Sequence, residues 1–244
     1  MHTPLIRIDK SIIPSLDVPT PGEANLVVQA TADVTGISAY KVGFELGLTG
    51  LPTVVNEIHR VSGDNRKVII FDKQKAGNDI PDMGAGFARA VKLAGCDAVI
   101  LFPFTGPLTQ REWTKACQGE GLTVIIGGMM THPQFLVSEG GYIPDDVPMK
   151  IYDLAIEMEV THFVVPGNRL GWVQKLIKYF RSALGEGNYD VMGPGFVLQG
   201  GDVAETGMVA GKRFHGIVGR GITDFPTVAG MHKAALALTR KITA

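Results

Sequence analysis

The chain has 244 residues, 45% of them hydrophobic and 19% charged, with 31 glycines and 14 prolines; a chain of that length and composition buries a sizeable core and is not disordered. Lys plus Arg (23) nearly balance Asp plus Glu (24), giving a formal net charge of −1, and the cations are scattered, so no basic field draws nucleic acid or an anionic membrane surface. The two cysteines, Cys96 and Cys117, form neither a CxxC pair nor a cluster with histidine, and the start MHTPLIRIDK lacks a signal peptide's apolar stretch, so a cytoplasmic protein with buried, reduced thiols and no membrane span is expected.

Short β-branched runs begin near Ile12, Ala39, Val68, Ala98, Thr123, His162, Asp190 and Gly216. They are continuously apolar rather than alternating, which is the pattern of strands covered on both faces. Helix-like segments separate them. Thr20-Pro21-Gly22-Glu23 reads as a capping box with proline at the first helical position. Leu170, Trp172, Val173, Leu176, Ile177 and Phe180 mark one amphipathic face, and residues 225–241 give a last helix with a basic end. Eight strand–helix units over residues 1–244 predict an α/β protein, a single (β/α)8 TIM barrel domain; a doubly wound sheet is the second choice. The longest interval, before the sixth strand, holds a Gly/Pro/acid-rich stretch at residues 138–148, readable as a lid or as a plain surface insertion.

Barrel chemistry gathers where the strands end, because the βα loops converge there. The first strand ends at Asp17, and the second carries Lys41 inside an apolar run. The third ends in Asp72-Lys73-Gln74-Lys75-Ala76-Gly77-Asn78-Asp79-Ile80-Pro81. Later strands open into Thr131-His132-Pro133, Pro166-Gly167-Asn168-Arg169, Gln199-Gly200-Gly201-Asp202 and Gly219-Arg220-Gly221. A lysine among apolar strand residues must reach the surface or meet a carboxylate, and Asp72 on the neighbouring strand is the expected partner. That pairing is either a buried ion pair or part of a charged reactive network. The loops after the seventh and eighth strands are where such barrels bind phosphate, through glycine N–H groups and a cation, although a Gly-Arg pair also simply starts a helix. The six histidines show no HxxxH or HExxH spacing, so no metal site is expected. His132, the histidine at the active end, shapes its loop; Met83, Met129 and Met130 read as packing. Gly84-Ala85-Gly86 lacks the full spacing of a dinucleotide loop.

From Ser15-Leu16-Asp17 to Gly219-Arg220, these residues resemble the orotidine 5′-monophosphate decarboxylase family. The resemblance implies a (β/α)8 barrel that uses no cofactor, acts on orotidine 5′-monophosphate as its small-molecule substrate to make UMP in pyrimidine synthesis, and works as a homodimer with the site at the interface. It implies catalytic roles for Lys41, Asp72, Lys75 and Asp79, with Lys75 as proton donor and Asp79 reaching in from the partner subunit. It implies substrate contacts from Asp17 to the ribose, Thr131 to the pyrimidine, and Gln199 and Arg220 to the phosphate, with Ile80, Pro166, Gly200 and Gly219 completing the set. Two departures stand out. Two residues separate Asp72 from Lys75 and three separate Lys75 from Asp79, one more in each gap than the family's Asp-x-Lys-x-x-Asp-Ile-Pro, so either the strand end bulges, which Gly77 would help, or Lys73 takes the lysine role. Met83 stands where the family has a threonine contributed across the interface. Magnesium-dependent sister enzymes acting on sugar phosphates, and a paralogue that binds a nucleotide phosphate without turnover, are the alternatives.

Overall fold

The computed structural model describes residues 2–73, 78–197 and 199–243. The strands β1 (Lys10–Leu16), β2 (Ala39–Val42), β3 (Val68–Phe71), β4 (Ala98–Leu101), β5 (Thr123–Gly127), β6 (His162–Val164), β7 (Asp190–Gly193) and β8 (Phe214–Val218) pair in parallel in sequence order, and β8 closes on β1. Between them run α1 (Pro21–Thr31), α2 (Phe44–Ser62), α3 (Gly84–Leu93), α4 (Pro107–Gly119), α5 (Val147–Glu157), α6 (Leu170–Leu184) and α7 (Val203–Val209); the one-turn α8 (Arg220–Thr223) and α9 (Val228–Thr243) follow β8. This is the closed (β/α)8 barrel rather than an open doubly wound sheet.

Two apolar layers hold it. Successive side chains on a strand point to opposite faces, so each strand feeds both layers. Outward residues such as Leu16, Tyr40, Val42, Val99 and Phe163 pack under the helices, where α6 lays down Val173, Leu176, Ile177 and Phe180. Inward residues such as Ile13, Ala39, Ile70, Ile100, Ile125 and Ile217 fill the barrel as a separate cluster. Thr20 caps α1 by accepting the Glu23 N–H at 3.2 Å.

Three sequence expectations shift. β1 and β8 start at Lys10 and Phe214, two residues before Ile12 and Gly216, because the buried polar residues Ser11 and His215 break the apolar runs while the ladder continues through them. The last helix begins at Val228 rather than Phe225, where Thr227 Oγ1 accepts the Gly230 N–H at 3.1 Å. Residues 138–148 fold back on themselves, with Val137 N–H donating to Ile143 O at 2.8 Å, and Glu139 ties the segment to Arg169. None of them lines the pocket described below. No helix among the described residues is long and apolar enough to cross a membrane.

Candidate active site

Inward positions recur every second residue, so a polar residue two places beyond the last apolar inward one arrives at the barrel mouth. Ile13 leads to Ser15 and Asp17, Ala39 to Lys41, and Ile70 to Asp72. The register sets Lys41 opposite Ser15 on one side and Ile70 on the other. The Asp72 N–H donates to Val42 O at 2.9 Å, extending the ladder one residue past β3 and fixing where its carboxylate points.

Lys41 Nζ consequently lies 3.1 Å from Asp17 Oδ1 and 3.1 Å from Asp72 Oδ2. Ser15 Oγ donates to Asp17 Oδ2 at 2.5 Å. The lysine side chain is 6% exposed, against 42% for Asp17 and 14% for Asp72, so the ammonium is sealed off while its partners meet solvent. Burial works to strip its proton, but Asp72 and Asp17 outweigh that and hold the Lys41 pKa above the ordinary lysine value. Removing one partner of such a buried cluster costs about 3–5 kcal/mol, because the other charge is left uncompensated.

The pocket above this cluster has a volume of about 460 Å³. Asp17, Lys41, Asp72, Thr131, Gln199 and Arg220 make its polar side, while Ile100, Phe102, Met129, Met130, Val164 and Ile217 make an apolar wall. Asn168 links three loops over it, its Nδ2 donating to Thr131 O at 3.1 Å and to Gln199 O at 3.4 Å. Arg220 opens α8 directly after Gly219, exposed at the rim. A carboxylate–ammonium–carboxylate array, an apolar slot and a cation at the rim, all in one concavity, suit a ligand with hydroxyls, a flat ring and an anionic end.

The structure thus gathers seven of the expected residues: Asp17, Lys41, Asp72, Thr131, Gln199, Gly219 and Arg220. Lys75, and Gly77 with it, lies outside the described residues. Lys73 instead lines an outer apolar groove with Phe44, Leu48, Phe71 and Phe87. Asp79 and Ile80 do not line this chain's own pocket. Thr109 Oγ1 donates to Asp79 O at 3.1 Å and Trp113 Nε1 to Ile80 O at 3.0 Å, pulling the segment over α4, and Asp79 Oδ1 accepts the Ile80 N–H at 2.7 Å. Pro166 is buried behind the lining, its carbonyl accepting the Arg169 N–H, and Gly200 sits on the outside of a turn closed by its N–H to Val197 O. His132 is exposed, its Nδ1 bonded to Pro133 O at 2.9 Å. Sequence reasoning placed Ser15 and Asn168 at strand ends without giving either a role, and missed Thr223; period-two counting along β1 would have turned Ser15 inward. It took Met129 and Met130 as packing alone, and they also line the wall.

No family model matches the chain. An orotidine 5′-phosphate decarboxylase of Pyrococcus horikoshii is 30% identical over 223 residues, covering 91% of this chain and 96% of that protein. The corresponding protein of Pyrococcus abyssi is 29% identical over 215 residues, 88% and 92% of the two chains. The crystal structure of the P. horikoshii enzyme superposes with a TM-score of 0.73 at 27% identity, over 96% of this chain and 99% of that one. That of the Methanocaldococcus jannaschii orotidine 5′-monophosphate decarboxylase with the inhibitor BMP superposes with a TM-score of 0.78 at 22% identity, over 96% and 99%, which speaks to the fold.

Proposed function

The chain belongs to the orotidine 5′-phosphate decarboxylase family, and from that premise we propose that it is a carboxy-lyase whose mouth pocket converts orotidine 5′-monophosphate to UMP and CO2 in pyrimidine biosynthesis. The observation that carries the reading is the Asp17–Lys41–Asp72 array sharing one pocket with Arg220.

The reaction demands fixed charge. Breaking the bond between C6 and the carboxylate releases CO2 and leaves the electron pair on a ring carbon that delocalises it poorly. In this reading the Lys75 ammonium faces that carbon, stabilises the pair as it forms, and delivers the proton that completes UMP. Asp72 holds the neighbouring positive charge and stands beside the departing carboxylate. Lys41 stays charged because two carboxylates flank it, and with Asp17 it meets the ribose hydroxyls. Thr131 reads the pyrimidine, and the apolar wall takes the ring faces. Arg220, with Gln199 and the backbone at Gly200 and Gly219, grips the phosphate, and that remote binding energy closes and orders the site. No cofactor enters this scheme. The position of Lys73 in the outer groove supports Lys75 as the donor.

A homodimer completes the proposal. Asp79 does not line its own pocket, and Ile80 and Met83 near it are 59% and 51% exposed, an apolar margin suited to a second copy. Asp79 then enters the partner's pocket and helps hold Lys75 protonated. Loss of absorbance as orotidine monophosphate becomes UMP tests the whole reading.

A further inference from the structure

The opposite pole of the barrel carries a second charged cluster. At the N-terminal ends of β1, β6, β7 and β8 stand the polar residues Ser11, His162, Asp190 and His215, all buried. His162 and Asp190 are register partners on adjacent strands. Asp190 Oδ1 accepts from Arg213 Nε and lies 3.2 Å from His2 Nε2. Its Oδ2 stands 3.4 Å from His162 Nε2, yet neither atom has a hydrogen-bond partner among the described residues and both are buried. A buried carboxylate oxygen and imidazole nitrogen that face each other without a hydrogen bond are costly in the interior.

Hydrogen-bond arithmetic sharpens the point. Thr161 Oγ1 lies 3.0 Å from His2 Nδ1 and 3.3 Å from His162 Nδ1. A hydroxyl has one proton, so it donates to one of these nitrogens at most, and the other ring carries its own proton at Nδ1. In its neutral form that ring turns an Nε2 lone pair towards the Asp190 carboxylate. Two electron-rich atoms at this separation call for a proton or a metal ion between them.

We propose that His2, His162 and Asp190 form a binding site for a divalent transition-metal ion of the zinc class, pinning the N-terminal segment to β6 and β7 at the base of the barrel. Three candidate ligand atoms, one from each residue, lie within 4.8 Å of one another. His2 Nε2 stands 3.2 Å from Asp190 Oδ1 and His162 Nε2 3.4 Å from Asp190 Oδ2, so the two imidazole nitrogens face the two oxygens of one carboxylate, each at about the 3.3 Å ligand–ligand spacing that bonds of about 2.0–2.1 Å produce. Two imidazoles and one carboxylate suit this ion class, and a hydroxyl that orients both rings through Nδ1 is the outer support such sites use. The nearby Arg213 is compensated by Asp9 at 2.7 Å. The ligands come from positions 2, 162 and 190, so no local spacing in the sequence displays them.

The test uses the full chain stripped with EDTA and dialysed, titrated with Zn2+ by calorimetry and with Co2+ by absorption spectroscopy. One equivalent of Zn2+ is taken up, Co2+ gives the visible bands of a four-coordinate centre, and Zn2+ raises the melting temperature. His2→Ala and His162→Gln each abolish the bands, and Thr161→Val weakens uptake about 10- to 100-fold. His132→Gln, at the far end, leaves the bands intact. Asp190→Asn also strips Arg213 of one of its two carboxylate partners, so His2→Ala, which alters no strand residue, is the deciding variant, and it leaves turnover at the barrel mouth unchanged. Absence of stoichiometric uptake, or bands that survive either His2→Ala or His162→Gln, overturns the proposal.

Discussion

The Asp17 carboxylate occupies space that any side chain at position 43 would need: a Cβ on Gly43 would stand 2.0 Å from Asp17 Oδ1. Gly43 has an ordinary φ of −82°, so glycine is required there for closeness rather than for backbone conformation. Its N–H donates to Leu16 O at 3.4 Å, extending the β1–β2 pairing past Lys41. The absent side chain at 43 therefore lets a carboxylate from one strand reach the lysine of the next.

Gly43→Ala should displace Asp17 and break its contact with Lys41. A misplacement of about an ångström costs on the order of a hundredfold in turnover, so kcat/KM falls by about that factor while circular dichroism shows the barrel intact. Wild-type kinetics in Gly43→Ala would show that Asp17 is not needed where it sits.

Arg220→Ala should lower kcat/KM by the equivalent of about 2–5 kcal/mol, the loss of a charge-assisted contact to phosphate. The same change should have little effect on a substrate analogue lacking the phosphate. Equal losses for both compounds would remove Arg220 from the phosphate role.

Lys75→Ala should abolish turnover while UMP binding stays measurable, whereas Lys73→Ala, altering a residue of the outer groove, should remain active. The reverse pattern would move the proton donor to Lys73 and with it the register of the whole segment.

Asp79 supplies a test of shared sites. Asp79→Asn and Arg220→Ala are each impaired alone, but a mixed dimer carries one site with both changes and one with neither. Re-equilibrated equal mixtures should regain about a quarter of wild-type activity if Asp79 acts across the interface. A mixture no more active than its components would confine Asp79 to its own chain.

Lys41 ties stability to alkaline pH. Burial lowers its proton affinity, but Asp72 and Asp17 more than offset this, and the folded-state value lies above the ordinary 10.5. The folded state then holds a proton that the unfolded state releases. The stability Lys41 contributes is fully present below 10.5 and is lost as pH rises through the folded-state value. Lys41→Met should show a shallower fall in unfolding free energy between about pH 10 and 12 than wild type, measured by denaturant melts; parallel slopes would contradict the array.

The barrel was legible because six of the eight strands, from β2 at Ala39 to β7 at Asp190, open on the residue at which the sequence places the start of the run. β1 and β8 were misplaced because inward polar residues at the base, Ser11 and His215, interrupt the only signal a single sequence offers for a strand buried on both faces. Lys41 betrayed itself as a charge in an apolar run, and Asp72 was read as its partner. Its second partner, Asp17, was read only as a ribose contact, because what joins them is the β1–β2 register and the gap at Gly43, neither of which has a local pattern. The role of Asn168 was hidden for the same reason: the residue bridges loops after β5 and β7 that only the closed barrel makes neighbours. Asp79 and Ile80 were placed by motif alone, while contacts to Thr109 and Trp113 decide where that segment goes.

The most direct measurement follows the absorbance of orotidine 5′-monophosphate mixed with the purified chain in the presence of EDTA. The account predicts complete conversion to UMP with release of CO2, unaffected by EDTA and lost in Lys75→Ala. A protein that binds the nucleotide but leaves its absorbance unchanged, or that turns over only when Mg2+ is restored, would contradict it.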